Sequence, residues 1–250
     1  TGTLNLDSID LSESAYTKVD LAALSIVRHI KGHFKLNSTI QIRQLQGLDN
    51  LETIRGDFHL ANIEAEEILG LNKLREVSGN LVISGGQATE ICGFNSLRRV
   101  GSLSIENNDA LELISGFNRL IRIDGEFLVR GNKHLSTVSG FSALQETGSF
   151  EFSALPSLQV IAGMRGLSTI GGSLTVRSCR SLKSVQFLSS LCRCSGIVLE
   201  KLGQVDLTAL RGYFAANRRV PGAIKISHCS LSSVAFMEGL EYVGSSFYLH

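Results

Sequence analysis

A chain of 250 residues with 24 basic and 23 acidic side chains carries almost no net charge, so nothing global draws it to nucleic acid, an anionic membrane or a basic partner. Its 25 glycines are spread along the whole length, with only two prolines and no tryptophan, which argues for many regularly placed turns and against disordered linkers. No apolar run approaches the roughly 20 residues that span a bilayer, and direct membrane insertion by this segment is not expected.

The chain opens without methionine or a signal-like stretch and stops at "SSFYLH" on what reads as a strand. It is therefore expected to be a piece of a longer protein. The opening "GTLNL" is the first of eleven segments in which a small turn residue precedes alternating apolar positions: "GTLNL", "GHFKL", "GDFHL", "GNLVI", "GSLSI", "GEFLV", "GSFEF", "GSLTV", "SGIVL", "GAIKI" and "SSFYL". Their turn residues are Gly2, Gly32, Gly56, Gly79, Gly101, Gly125, Gly148, Gly172, Ser195, Gly222 and Ser245, spaced 22 to 24 residues apart after the first gap except for one spacing of 27. Residues 8–31 lengthen the first coil, and Ser14 or Thr17 is placed to cap a helix over "KVDLAALSIVRHI", where apolar residues recur three and four apart.

About nine residues ahead of most of these turns runs a second glycine register at Gly47, Gly70, Gly93, Gly116 and Gly140, each followed by Leu or Phe. The combined motif is G-(L/F)-x-x-L-x-x-(I/V)-x-G-x-(L/F)-x-(I/V/L). Each coil thus holds one short alternating strand and a tight turn, and cannot bury its apolar face without stacked neighbours. Near the end, residues 203–221 add about four residues and predict a second helical insertion. The reading is one domain over 1–250: a right-handed repeat solenoid, like a leucine-rich repeat or β-helix, of about eleven coils with a continuous parallel sheet.

Three residues beyond the strands lie Asn108, Asn132, Cys179 and Cys229, the ladder position of the form L-x-x-L-x-L-x-x-N/C. An amide there can bond backbone groups of the next coil, and a small thiol fills the same slot. With the glycine ahead of each strand, this pattern resembles the receptor L-domain of insulin- and epidermal-growth-factor-type receptors and the related repeats of fungal cell-surface proteins, over residues 32 to 250. The resemblance implies a ligand-binding or adhesion module at the cell surface.

Five cysteines is an odd number, and Cys179 and Cys229 lie two strands apart, roughly 9.6 Å, beyond the roughly 7 Å reach of a disulfide. They read as core thiols, with Cys192 and Cys194 too close in sequence for an ordinary bridge. One glycosylation sequon stands at Asn37-Ser38-Thr39. The six histidines are scattered over different coils, no nucleophile elbow, HExxH or P-loop occurs, and neither a cofactor nor a metal site is expected.

Function is then expected on the outward strand positions. The central row reads Asn5, Lys35, His59, Val82, Ser104, Leu128, Glu151, Thr175, Val198, Lys225 and Tyr248. Beside it run Asp7, Asn37, Ala61, Ser84, Glu106, Arg130, Ser153, Arg177, Glu200, Ser227 and His250. Glu106 should neighbour Arg130 and Arg177 should neighbour Glu200, with Glu151 close by. Together with Glu126 and Leu128 these are the candidate ligand-binding residues, for a protein or glycan partner and without catalysis. A carbohydrate-active enzyme would need clustered acids on one row, which the rows do not supply. The alternative is a structural subunit packed within a large assembly.

Overall fold

The computed structural model describes residues 4–11, 21–37, 45, 47–231 and 233–250, with side chains from residue 7 onward. Over these the chain winds into a parallel β-solenoid of about ten turns with few helices. Each regular coil has three faces. Face A carries the strands that follow the first glycine register, such as Phe34–Asn37, Phe58–Ala61 and Ser173–Arg177. In the middle coils the strands Glu76–Ser84, Arg99–Glu106, Arg122–Arg130 and Glu146–Ser153 are longer, and a register shift bends each so that its first part lies on face B and its last on face A. Face C is a sheet of five two-residue strands, Glu67–Ile68, Glu90–Ile91, Leu113–Ile114, Thr137–Val138 and Val160–Ile161.

The corner between B and A is where the first glycine register sits, and its glycines lie outside the left-handed region. What excludes a side chain there is the coil alongside. A Cβ on Gly101 would fall 2.5 Å from the carbonyl oxygen of Gly79, and one on Gly148 2.6 Å from that of Gly125. Glycine is thus set by coil-to-coil approach rather than by turn conformation.

The corner between C and B behaves differently. Leu71, Phe94, Phe117 and Phe141 each follow a glycine of the second register, Met164 follows Gly163 one coil further on, and all five have left-handed backbone with φ between 53° and 63°. A non-glycine residue held there costs about 1–3 kcal/mol. In return the side chain turns into the core: Phe94 stacks on Phe117 at 4.8 Å and Phe117 on Phe141 at 5.0 Å, all fully buried. Burying a phenylalanine gains about 1.5–3 kcal/mol and stacking adds about 0.5–1.5 kcal/mol, so ring burial outweighs the strain.

Two expectations are corrected at the N-terminal end. "GTLNL" does not share a face with "GHFKL": Leu4–Leu6 pairs with Val27–Ile30 on face B, placing Asn5 beside His29, while Ile9–Asp10 pairs with Phe34–Asn37 and puts Asp10 beside Lys35. Asn5 and Asp7 therefore leave the outward rows, and the eleven segments make about ten turns. The helix expected over 18–30 is also not formed where described. Leu21–Ile26 is a 3-10 turn and Val27–Ile30 a strand that buries Val27 and Ile30, since a β-branched pair gains a sheet ladder on both sides; the proposed caps Ser14 and Thr17 lie outside the described residues.

The second insertion does form a helix, Arg211–Ala216, entered through a 3-10 turn at Thr208–Leu210. It buries Tyr213 and Phe214, and the Tyr213 hydroxyl donates to the Cys194 carbonyl at 3.0 Å. Beyond it, Phe247 and Leu249 continue the inward rows of Ile224 and Ile226, yet they are 52% and 43% exposed against 0% and 1%.

Candidate functional site

On face A the register runs unbroken from Lys35 to Tyr248: His59, Val82, Ser104, Leu128, Glu151, Thr175, Val198 and Lys225 follow one another across adjacent strands. The adjoining row aligns Ser84, Glu106, Arg130, Ser153, Arg177, Glu200 and Ser227 in the same way. Alternation alone accounts for this, because inward Leu, Ile, Val and Phe fix the parity of every strand.

Six charged side chains on this face form three separate pairs. Arg130 Nη2 donates to Glu106 Oε2 at 2.8 Å, and the Ser104 hydroxyl donates to the other oxygen at 2.5 Å. Arg177 Nη2 reaches Glu151 Oε1 at 3.4 Å, with the Ser153 hydroxyl on the same oxygen at 2.7 Å. Lys225 Nζ reaches Glu200 Oε2 at 3.4 Å and lies 6.0 Å from the centre of the Tyr248 ring. In each case the acid belongs to one coil and the cation to the next. Arg177 is beside Glu200 in register but bonds Glu151, because Lys225 holds Glu200 from the far side. With the cations about half exposed, each pair contributes about 0.2–1 kcal/mol.

The other face A candidates divide. Glu126 is exposed at the bend where the strand passes onto face A, and its backbone N–H donates to the Ser102 hydroxyl at 3.2 Å. Leu128 is outward in register but only 9% exposed, closed over between Ser104 and Glu151 in its row. Asn37 Oδ1 accepts from Asn62 Nδ2 at 2.8 Å; Ser38 and Thr39 of its sequon lie outside the described residues.

Behind the face, Asn108 and Asn132 are buried at the corner between A and C. Asn132 Oδ1 accepts from the Asn108 N–H at 2.9 Å, Asn108 Oδ1 accepts from the Gly86 N–H at 3.0 Å, and the two amides donate back to the carbonyls of Ile105 and Ile83. Cys179 and Cys229 take the equivalent slot, each thiol pointing at the carbonyl one coil back, Phe152 and Leu199 respectively, at 3.7 Å. Burial pushes the Cys179 thiol up to about 12, which keeps it protonated and unreactive. All five cysteines are free thiols.

Face B carries a network that strand-row reasoning missed. Asp124 accepts from Arg99 Nε and Arg122 Nε, both at 2.7 Å, and Arg122 Nη1 donates to Glu146 at 2.6 Å. Arg99 and Arg122 are in register on adjacent strands, where like charges repel, and the Asp124 carboxylate between them relieves this. The Arg99 hydrogen bond, with Arg122 adding to it, holds the Asp124 carboxyl below its usual range against partial burial. The signal was available in "LRRVG" and "LIRIDG", where the residue before the inward Val or Ile is arginine in both repeats. A second missed ladder runs along the corner between C and B, where Asn118 bonds Asn95 and Asn95 bonds Asn72.

An open cleft of about 430 Å³ lies beside the helical insertion, lined by Lys183, Asp206, Thr208, Arg211 and Phe236 among others. Its polar groups are largely engaged: Asp206 accepts from the Thr208 N–H at 2.9 Å and Arg211 pairs with Glu238 at 3.0 Å. Among the described residues no three His, Cys, Asp or Glu side chains converge to hold a metal ion. No helix among them is long and apolar enough to cross a membrane. No family model, curated protein or solved structure matches the chain.

Proposed function

We propose that the chain is a non-enzymatic binding or adhesion module of the receptor L-domain type, working at the cell surface or outside the cell, and that face A takes a protein or glycan ligand. The observation that carries this reading is the pairing on face A. Glu106, Glu151 and Glu200 are each held by a cation of the next coil, and two of them also accept from a serine hydroxyl. Carboxylates so engaged are placed to accept hydrogen bonds in fixed directions and are poor candidates for moving protons. Arg130 and Arg177 keep about half of their side chains exposed, which leaves donors to offer a ligand on a surface preorganised by a rigid sheet.

The test is binding to glycan and extracellular-protein arrays by the wild type and by the double variant R130A/R177A. Loss of about tenfold or more in affinity for whatever the wild type retains is expected, with unchanged circular dichroism. Equal retention by both proteins would sink the face A reading.

A further inference from the structure

Two rows of opposite charge on this molecule lack ion-pair partners within it, among the described residues. On face B, Arg75 and Arg98 sit on neighbouring coils, joined through the Arg98 N–H to the Arg75 carbonyl, and Ile121 follows them in the next coil, 41% exposed. Arg119, two residues before Ile121, is exposed as well. None of these three arginines has an ion-pair partner among the described residues. On face C, Glu67 and Glu90 are in register, and Glu66, Thr89 and Glu112 form the row beside them. These carboxylates too lack a cation among the described residues, Glu90 accepting only from the Ser115 hydroxyl. Leu69, 52% exposed, lies in the first coil of this acidic stretch, and Val160, 44% exposed, in the last strand of the face.

The two rows have opposite sign, occupy the same coils and share one pitch, because both are built on the roughly 4.8 Å spacing of parallel strands. An acidic polymer would answer face B and leave face C unexplained. A second copy of this chain answers both, since its glutamate row repeats at the pitch of the arginine row by construction. We propose that face B of one molecule docks on face C of another, solenoid axes parallel, with Arg75 and Arg98 against Glu67 and Glu90 and with Ile121 facing the next coil at Leu113. Such a contact uses different surfaces on its two sides and so repeats from copy to copy instead of closing as a simple dimer. It leaves face A free for a ligand, which makes it independent of the function proposed above.

The experiment is sedimentation velocity over a range of concentrations, at about 20 mM and about 500 mM salt, where screening lengths differ several-fold. The wild type should associate at low salt and dissociate at high salt. The variants R75E/R98E and E67K/E90K should each be about a hundredfold weaker in self-association, because like charges then meet. An equimolar mixture of the two variants should associate again, one now acidic on both faces and the other basic on both. The face A variant R130A/R177A should behave as wild type. A wild type that stays monomeric at low salt, an association indifferent to both charge reversals, or a mixture that fails to recover would each overturn the proposal.

Discussion

The coils between Gly70 and Ala162 and those between Leu188 and His250 wind the same frame from different material. In the middle coils, identical residues recur at identical places: a glycine against the glycine of the coil before, a left-handed Phe stacked on its neighbour, an asparagine in the inner slot. In the last coils Phe187 stands where the second-register glycine would be, a helix carrying Tyr213 and Phe214 fills the corner, and Cys229 takes the inner slot. Repetition makes the middle a set of ladders, in which each side chain's partner is its own counterpart one coil away. The end relies on particular contacts, which tolerate variety but propagate nothing.

The largest contrast should come from the aromatic positions. Phe117→Ala empties a site sandwiched between Phe94 and Phe141 and is expected to cost about 3–5 kcal/mol, while Phe247→Ala in the exposed last coil should cost about 1 kcal/mol or less; urea unfolding of both variants checks this. Glycines come next. In Gly140→Ala the new Cβ meets the Gly116 carbonyl oxygen, and about 1–3 kcal/mol of destabilisation is expected from overpacking. Gly212→Ala has nothing within 4 Å and lies in the helix, so the same substitution should stabilise by up to about 1 kcal/mol. Equal shifts in thermal midpoint for the two would break the comparison.

The inner slot should separate more gently. Asn132→Ala strips a buried acceptor from the Asn108 N–H and should cost about 1–3 kcal/mol. Cys179→Ala removes two weak thiol contacts, 3.7 Å to the Phe152 carbonyl and 3.4 Å to that of Arg177, and a small apolar atom, about 1 kcal/mol. Amide hydrogen exchange at Asn108 would report the first directly, by faster exchange in the Asn132 variant.

The smallest contrast is electrostatic. Asp124 is held low chiefly by the Arg99 hydrogen bond and Asp206 by the Thr208 backbone N–H. Both folded values lie below the ordinary value of about 3.9, so each contributes stability above that value that is lost as pH falls through the depressed one. Added salt should raise the Asp124 titration midpoint in carboxyl NMR and leave that of Asp206 nearly still, since ions screen a guanidinium better than a backbone dipole.

What the sequence made legible is what repeats. The period, the glycine corner, the inward parity and the slot shared by Asn108, Asn132, Cys179 and Cys229 all declare themselves by recurrence. What stayed hidden depends on quantities that residue identity does not carry. "LNL" alternates equally well on face B or face A, so Asn5 was misplaced until pairing with His29 fixed it. Residues 21–30 have apolar spacing that suits a helix, and neighbouring strands decided otherwise. The left-handed φ at Phe94, Phe117 and Phe141 leaves no mark except the glycine ahead of it. On face A the rows were legible but the partners were not: Arg177 had two carboxylates within reach, and the claim of Lys225 on Glu200 decided between them.

The stacked corner glycines also have a mechanical meaning. Because each coil touches only its neighbours, a pull applied at the chain ends loads one terminal coil at a time, and the molecule should peel instead of shearing as a block. With successive corners about 23 residues apart, each peeled coil releases about 80 Å of extended chain. A force-extension trace is then a row of near-equal steps, tallest where the phenylalanine stack is crossed, and a tethered molecule of this kind yields gradually under load.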